Sequence, residues 1–242
     1  MTKIAAVVPV KALAAAKTRL EHVLAPEARA ALALWLLERV VGALQASGAV
    51  ARLAVVSPDP RALERAAALG AVPLCQEHGT LNQGLALGRD WALAQGADAL
   101  LVALGDLPRL AAAEVRALVA LGEGSAAVPP TMPSVLSVPA MPGSVVLAPD
   151  RGEAGTNLLL VRPPDALPFL FGRASFARHQ ALARARGLAV AVYRAPGTAF
   201  DLDWPADLDE LRAAGSMPPE VLAGPVAPAG AAGGGRQARD GD

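Results

Sequence analysis

Three aspartates and two lysines are the residues of this chain best placed to do chemistry. Asp106 follows the apolar run Leu100-Leu101-Val102-Ala103-Leu104, so its carboxylate should project from the end of a buried strand. Asp201 and Asp203 stand two apart in Phe200-Asp201-Leu202-Asp203-Trp204-Pro205 and share a face if that segment is extended. Carboxylate oxygens are the usual ligands of Mg2+, which keeps several waters and bridges to substrate phosphates. All three lysines fall within the first 17 residues, at Lys3, Lys11 and Lys17, while the rest of the 22 basic residues are arginines. Lys3 reads as a solubilising chain end. Lys11 and Lys17 lie directly after the apolar run 4–8. Open α/β sheets bind phosphates in such a place, because ligands gather at the carboxyl ends of strands and a following helix start offers free N–H groups. Lysine suits the task as a compact charge on a flexible stem. Together these groups suit metal-assisted transfer of a nucleotidyl group, with the metal screening an α-phosphate and the lysines holding pyrophosphate. Taken singly each aspartate has a plainer reading, Asp106 and Asp207 as helix caps.

The elements that must position these groups alternate along the chain. Apolar strand-like runs at 4–9, 52–57, 71–75 and 99–104 are separated by alanine- and leucine-rich helical segments at 26–46, 60–69 and 81–95. In the first helix Leu32, Leu36, Val40 and Leu44 recur at helical spacing. Further helices are read at 112–121, 175–186 and 205–213, and further strands at 144–148, 157–161 and 189–193. This alternation implies one α/β domain over residues 1–215, a mostly parallel sheet flanked by helices. Residues 124–143 hold Pro129, Pro130, Pro133, Pro139 and Pro142 and read as an inserted loop. Residues 216–242 are rich in Pro, Ala and Gly and read as a disordered tail.

Composition excludes several classes. Apolar residues make up 53% of the chain and aromatics 3%, so the core must be built from Ala, Leu and Val. The 22 basic and 22 acidic residues cancel, which argues against broad nucleic-acid or anionic-membrane binding and makes any anion site local. Cys75, the one cysteine, reads as a buried structural thiol on the 71–75 strand and rules out a disulfide framework. No apolar leader with a cleavage site precedes the first strand, and prolines interrupt the uncharged stretch after Gly124, so a cytoplasmic protein is expected.

Asparagine is scarcer than lysine. Asn82 and Asn157 each start an apolar element, where an amide can read a base or ribose edge, or else cap and turn the chain. With them the pieces of a known family fall in order. They are Pro9-Val10-Lys11, Ala16-Lys17-Thr18-Arg19-Leu20, Val55-Val56-Ser57-Pro58-Asp59, Leu81-Asn82, Asp106-Leu107-Pro108, Gly155-Thr156-Asn157, Phe171-Gly172-Arg173-Ala174-Ser175-Phe176-Ala177-Arg178-His179 and Asp201-Leu202-Asp203-Trp204-Pro205. The chain resembles the 2-phospho-L-lactate / phosphoenolpyruvate guanylyltransferase family of coenzyme F-420 biosynthesis, within the MobA-like, GT-A-type nucleotidyltransferases. The Gly-Thr-Asn and Phe-Gly-x-x-Ser-Phe-x-x-His elements are its specific parts. Trp204, where the family has a small polar residue, and the proline-rich loop depart from it.

The resemblance implies a Rossmann-like GT-A-type fold and assigns roles. Lys17 and Arg19, with Lys11 nearby, would bind the phosphates of GTP, and Pro9, Ser57 and Asn82 would complete the nucleotide site. Lys17 and Asp106 would be catalytic. Asp106 would ligate Mg2+ together with Asp203 or Asp201, a choice the residues leave open, Asp203 being preferred by analogy. Thr156, Gly172 and Ser175 would hold a three-carbon phospho-acid, with Arg178 and His179 adding charge. Among acceptors, phosphoenolpyruvate is preferred on the high-GC look of the composition, with 2-phospho-L-lactate and 3-phosphoglycerate as alternatives. The rival readings are a nucleotidyltransferase for a molybdopterin or sugar phosphate, and a non-catalytic GTP-binding module. A dinucleotide-dependent dehydrogenase is disfavoured, since no G-x-G-x-x-G follows the first strand. Oligomeric state is open, a homodimer being compatible.

Overall fold

The structure, a computed structural model, describes residues 2–124 and 143–215 together with Met217. The inner residues of the proline-rich loop and nearly all of the tail lie outside the described residues. Among the described residues seven strands form one sheet: β1 (Ile4–Pro9), β2 (Arg52–Ser57), β3 (Val72–Cys75), β4 (Ala99–Ala103), β5 (Ser144–Pro149), β6 (Thr156–Arg162) and β7 (Ala189–Val192). Their order is β3-β2-β1-β4-β6-β5-β7. β6 pairs antiparallel with both β4 and β5, while every other pairing is parallel. The sheet is therefore mixed and mostly parallel, as expected.

Why the inner strands are unbroken apolar runs is clear from their two faces. Along β1, Ile4, Ala6 and Val8 enter one core, and Ala5 and Val7 enter the other. β4 does the same, with Ala99, Leu101 and Ala103 on the first face and Leu100 and Val102 on the second. A sheet covered by helices on both sides requires this pattern. On the first face lie helices α1 (Pro26–Ala46) and α4 (Ala112–Gly122), through Leu37, Val40, Val41, Leu44, Val115 and Leu118. α2 (Pro60–Ala68) joins them through Ala66. On the second lie α3 (Leu81–Ala94) and α5 (Ser175–Ala185), through Leu85, Ala92, Phe176 and Ala183. α3 comes so close to the sheet that a Cβ on Gly88 would lie 2.7 Å from Val7 Cγ1. α1 begins where the sequence places it, with Pro26 in its first turn, a position where a missing N–H costs nothing.

Three short elements went unread in the sequence: α6 (Pro196–Ala199), ahead of the final helix α7 (Pro205–Ala213), and a pair of 3-10 turns, Leu13–Ala15 and Thr18–Leu20. The turns change the expected cradle. Lys11 and Lys17 precede them rather than the start of α1, so any anion there meets side chains and turn N–H groups, not a long helix end. Cys75 is exposed, not buried. β3 is the outer strand of the sheet, and Val72, Pro73 and Cys75 all face solvent. Met217, assigned above to the tail, packs into a third core with Leu20, Leu24, Leu32, Leu36, Phe200, Leu202, Leu208 and Leu211. No described helix is long and apolar enough to cross a membrane.

Candidate active site

The carboxyl edge of the sheet collects most of the chemistry-bearing residues. β1 ends there at Pro9, β2 at Ser57 and β4 just before Leu104-Gly105-Asp106. β6 runs the other way and so begins at this edge with Thr156. The loop after β1 is tied down at both ends. Val10 N–H donates to Val56 O at 2.9 Å, and Leu13 N–H donates to Asp59 Oδ2 at 2.9 Å. Burial raises the pKa of Asp59, yet the N–H groups of Leu13 and Arg61 outweigh it and hold the carboxyl below its ordinary range. The Ser57 hydroxyl is itself buried and accepts from Asp59 N–H at 3.0 Å.

At the centre of the edge, Lys17 joins both carboxylate elements. Its Nζ lies 2.9 Å from Asp106 Oδ2 and 3.2 Å from Asp203 Oδ1. Arg19 also pairs with Asp203, and its guanidinium stands 4.7 Å over the ring of Trp204. Lys17 is nearly enclosed; desolvation lowers its pKa, but Asp106 and Asp203 more than compensate and the net shift is upward. Its backbone is left-handed, at φ 51°, an unusual state for a non-glycine residue that marks a constrained site. Asp106 Oδ1 is buried with no hydrogen-bond partner among the described residues. Asp201 sits beside this group with its pKa raised to about 6, first by burial and then by the charges of Asp106, Asp203 and Asp150.

Tertiary packing, not local sequence, delivers Asp203 to Lys17. Leu20 and Leu202 share the third core, which draws the cationic loop and the aspartate segment together over α1. Leu202 N–H donates to Asp106 O at 3.0 Å, locking the two carboxylate elements in register. Asp207 Oδ2 accepts from Asp203 N–H at 3.0 Å and from Trp204 N–H at 2.7 Å, capping α7 as the sequence suggested. Arg151 pairs with Asp207 and Glu210, and Arg109 pairs with Glu210. Both guanidiniums lie over the buried Phe200 ring, at 4.6 and 4.0 Å. Sequence reasoning missed Arg109, Arg151 and Phe200, since nothing in their spacing links three segments so far apart.

The second half of the site is built on β6 and α5. Thr156 N–H donates to Ser175 Oγ at 2.9 Å, and Thr156 Oγ1 lies 3.1 Å from His179 Nδ1. The loop before α5 passes through Gly172 at φ 119° and Ala174 at φ 52°, so it too is held in an uncommon conformation. One expectation changes here. His179 is fully buried rather than a charged surface group. Burial first, and the charge of Arg178 second, push its pKa down to about 4. Asn82 is tied to the loop before α5: its Oδ1 accepts from Phe171 N–H at 2.9 Å and its Nδ2 donates to Phe171 O at 3.1 Å, leaving one N–H and one lone pair of the amide open. Asn157 likewise donates to Thr198 O at 3.0 Å. Lys11 and Arg178 are exposed, and neither is paired with a carboxylate among the described residues.

Asp201 carries a stability consequence. Its folded value of about 6 lies above the ordinary unfolded one, so the unfolded chain ionises first as pH rises between these values and the folded state loses ground. Above about pH 6 the deficit is complete, and water access to the side chain reduces it to ~1 kcal/mol. Asp201→Asn in chelator should therefore raise the melting temperature by about 2–4 °C at neutral pH, and by nothing near the unfolded carboxylate range. Thermal melts at the two pH values check this.

The family model described as "Guanylyl transferase CofC like" matches residues 4–131 and 137–218. The chain belongs to this guanylyl transferase family. Among its relatives, a phosphoenolpyruvate guanylyltransferase of Sphaerobacter thermophilus is 50% identical over 212 residues, covering 87% of this chain and 93% of that one. One from Rubrobacter xylanophilus is 47% identical over 213 residues, covering 88% and 95%. A 2-phospho-L-lactate guanylyltransferase of Methanothermobacter thermautotrophicus is 35% identical over 211 residues, covering 86% and 84%. The fold of the CofC-like chain also resembles solved structures. 4-Diphosphocytidyl-2C-methyl-D-erythritol synthase superposes with a TM-score of 0.57 at 17% identity, covering 88% of this chain and 98% of that one. Glucosyl-3-phosphoglycerate synthase from Mycobacterium tuberculosis, in complex with Mg2+ and uridine diphosphate, gives 0.54 at 16%, covering 91% and 78%. The GT-A-type nucleotidyltransferase fold and the guanylyltransferase family inferred from the sequence both stand.

Proposed function

We propose that this protein transfers GMP from GTP to the phosphate of phosphoenolpyruvate, releasing pyrophosphate, in coenzyme F-420 biosynthesis. The observation that carries the reading is the convergence of Lys17 with Asp106 and Asp203, on the same sheet edge where Thr156 begins β6. Phosphoenolpyruvate is favoured as acceptor over 2-phospho-L-lactate by relatives at 50% and 47% identity against 35%.

The acceptor's own phosphate oxygen is the nucleophile. Being already an anion, it needs no protein base. Its lone pair forms a bond to the α-phosphorus of GTP, while the bond from that phosphorus to the bridging oxygen breaks and pyrophosphate leaves with the electron pair. Lys17 and Arg19 hold the departing phosphates; the N–H groups of Thr18 and Arg19, unclaimed among the described residues, lie in the same turn. Thr156, Gly172 and Ser175 hold the acceptor. Positioning and charge neutralisation supply most of the acceleration.

A divalent cation, Mg2+, fits the carboxylates. Asp106 Oδ1 is buried without a partner, and Asp201 is crowded by like charge, so this set is short of positive charge. No cluster of three His, Cys, Asp or Glu among the described residues encloses a metal by itself. Asp106 and Asp203 would hold it, leaving other positions to phosphate and water, as Mg2+ prefers. When bound, it would neutralise the α-phosphate.

The test is pyrophosphate release from GTP and Mg2+ with phosphoenolpyruvate, 2-phospho-L-lactate and 3-phosphoglycerate supplied separately, and ATP as control. Release with phosphoenolpyruvate that requires GTP supports the reading. Silence with all three acids, despite measurable GTP binding, sinks it in favour of a binding module.

A further inference from the structure

The hydrogen bonds around His179 determine where its proton sits. Leu170 N–H can only donate, and it reaches Nε2 at 2.9 Å, so Nε2 carries no proton. A neutral imidazole then holds its proton on Nδ1, and the atom facing Nδ1 at 3.1 Å is Thr156 Oγ1. The ring has no freedom to turn over: it is fully buried, with Phe171 packed edge-on at a centroid distance of 5.0 Å. A cationic ring would set an N–H against the Leu170 N–H, and its burial and the neighbouring Arg178 oppose that form as well.

This arrangement decides what Thr156 can do. A hydroxyl has one proton and two lone pairs. With a lone pair committed to Nδ1–H, the Thr156 proton is free to be donated, and no described residue accepts it. Ser175 is in the same state. Its Oγ accepts from Thr156 N–H, and its own proton is unclaimed among the described residues. Two adjacent buried hydroxyls are thus both set as donors, which suits an anion and repels a cation.

We propose that neutral His179 is a positioning residue for the acceptor: by donating from Nδ1 to Thr156 Oγ1 it makes the Thr156 hydroxyl an obligate donor to an oxygen of the phospho-acid. The proposal rests on the acceptor-binding role given above to Thr156 and Ser175. His179 touches no substrate itself, and it brings no charge to the site. Its second bond, to Leu170, separately anchors the turn that leads to Gly172.

Two conservative variants separate these jobs. In His179→Asn the amide nitrogen replaces Nδ1, keeping the bond to Thr156 and losing the one to Leu170. In His179→Gln the amide oxygen replaces Nε2, with the reverse result. His179→Gln should raise the KM for the phospho-acid by about tenfold, with the KM for GTP within about twofold of wild type, whereas His179→Asn should stay within about threefold for both. Thr156→Val should match His179→Gln, and the double variant should be no worse than Thr156→Val alone, since the histidine acts through that hydroxyl. A 15N spectrum of the wild type should show protonated Nδ1 and bare Nε2. An Nε2–H tautomer, equal KM rises for both substrates, or additive losses in the double variant would overturn the proposal. Wild-type turnover without this split defeats the positioning role alone. No wild-type turnover with any phospho-acid defeats the acceptor reading, and the proposal with it.

Discussion

Asp106→Asn should lower GTP-dependent pyrophosphate release by about a thousandfold while leaving the protein folded. The carboxylate stands at the end of β4, one oxygen on Lys17 and the other buried without a partner, so it has unspent capacity for a cation. Asparagine keeps the shape but loses the charge, and with it several kcal/mol of the charge stabilisation available to the transition state. The backbone contact from Leu202 N–H to the carbonyl of residue 106 is unaffected by the change. Stability should move by no more than ~1 kcal/mol, because losing one partner of Lys17 is offset by relief of crowding among the aspartates. That relief is separately measurable. Asp106 is the leading charge acting on Asp201, so a carbon-NMR titration of Asp201 should give a value closer to the ordinary one. An active Asp106→Asn enzyme would remove this carboxylate from the chemistry.

Lys17→Met should also abolish turnover, by at least about a hundredfold, but with the opposite pattern in binding. Lys17 now pairs with Asp106 and Asp203 together. Without it the cluster keeps only Arg19, and an uncompensated group of partly buried carboxylates costs ~2 kcal/mol, or about 4–8 °C in melting temperature. The same unpaired carboxylates are better ligands, so Lys17→Met should bind a divalent cation more tightly than wild type and recover stability when the cation is added. Calorimetric titration with Mg2+ or Mn2+, alongside melts with and without the metal, reads both effects. Weaker metal binding in the variant would show that Lys17 and the cation do not share these oxygens.

Much of the fold was readable because the strands follow a simple rule. A strand buried on both faces must be apolar throughout, and 4–9 and 52–57 matched β1 and β2 to the residue, as 26–46 matched α1. Cys75 misled because an apolar strand at the sheet edge looks locally like one in the middle. Only the strand order reveals that β3 has no outer neighbour among the described residues. The cationic loop misled more subtly. A helix start is expected to follow its lysines, yet the chain makes two 3-10 turns, with Lys17 left-handed between them.

What the sequence by itself determined is the inventory: an Ala-, Leu- and Val-built α/β sheet, a cationic loop after its first strand, and aspartates after a buried strand and before the last helix. Those follow from nearest-neighbour chemistry, since period, turn residues and charge are local properties. Only the tertiary structure decided who meets whom. Leu20 and Leu202 sharing one core puts Lys17 between Asp106 and Asp203, across 89 and 186 residues of chain. The pairing of His179 with Thr156 and Leu170 turned an apparent surface cation into a fixed, neutral brace, and that of Asn82 with Phe171 ties α3 to the loop before α5. Burial is what changed the histidine's role: an imidazole cut off from water must satisfy its donor and acceptor from whatever groups the fold brings within reach.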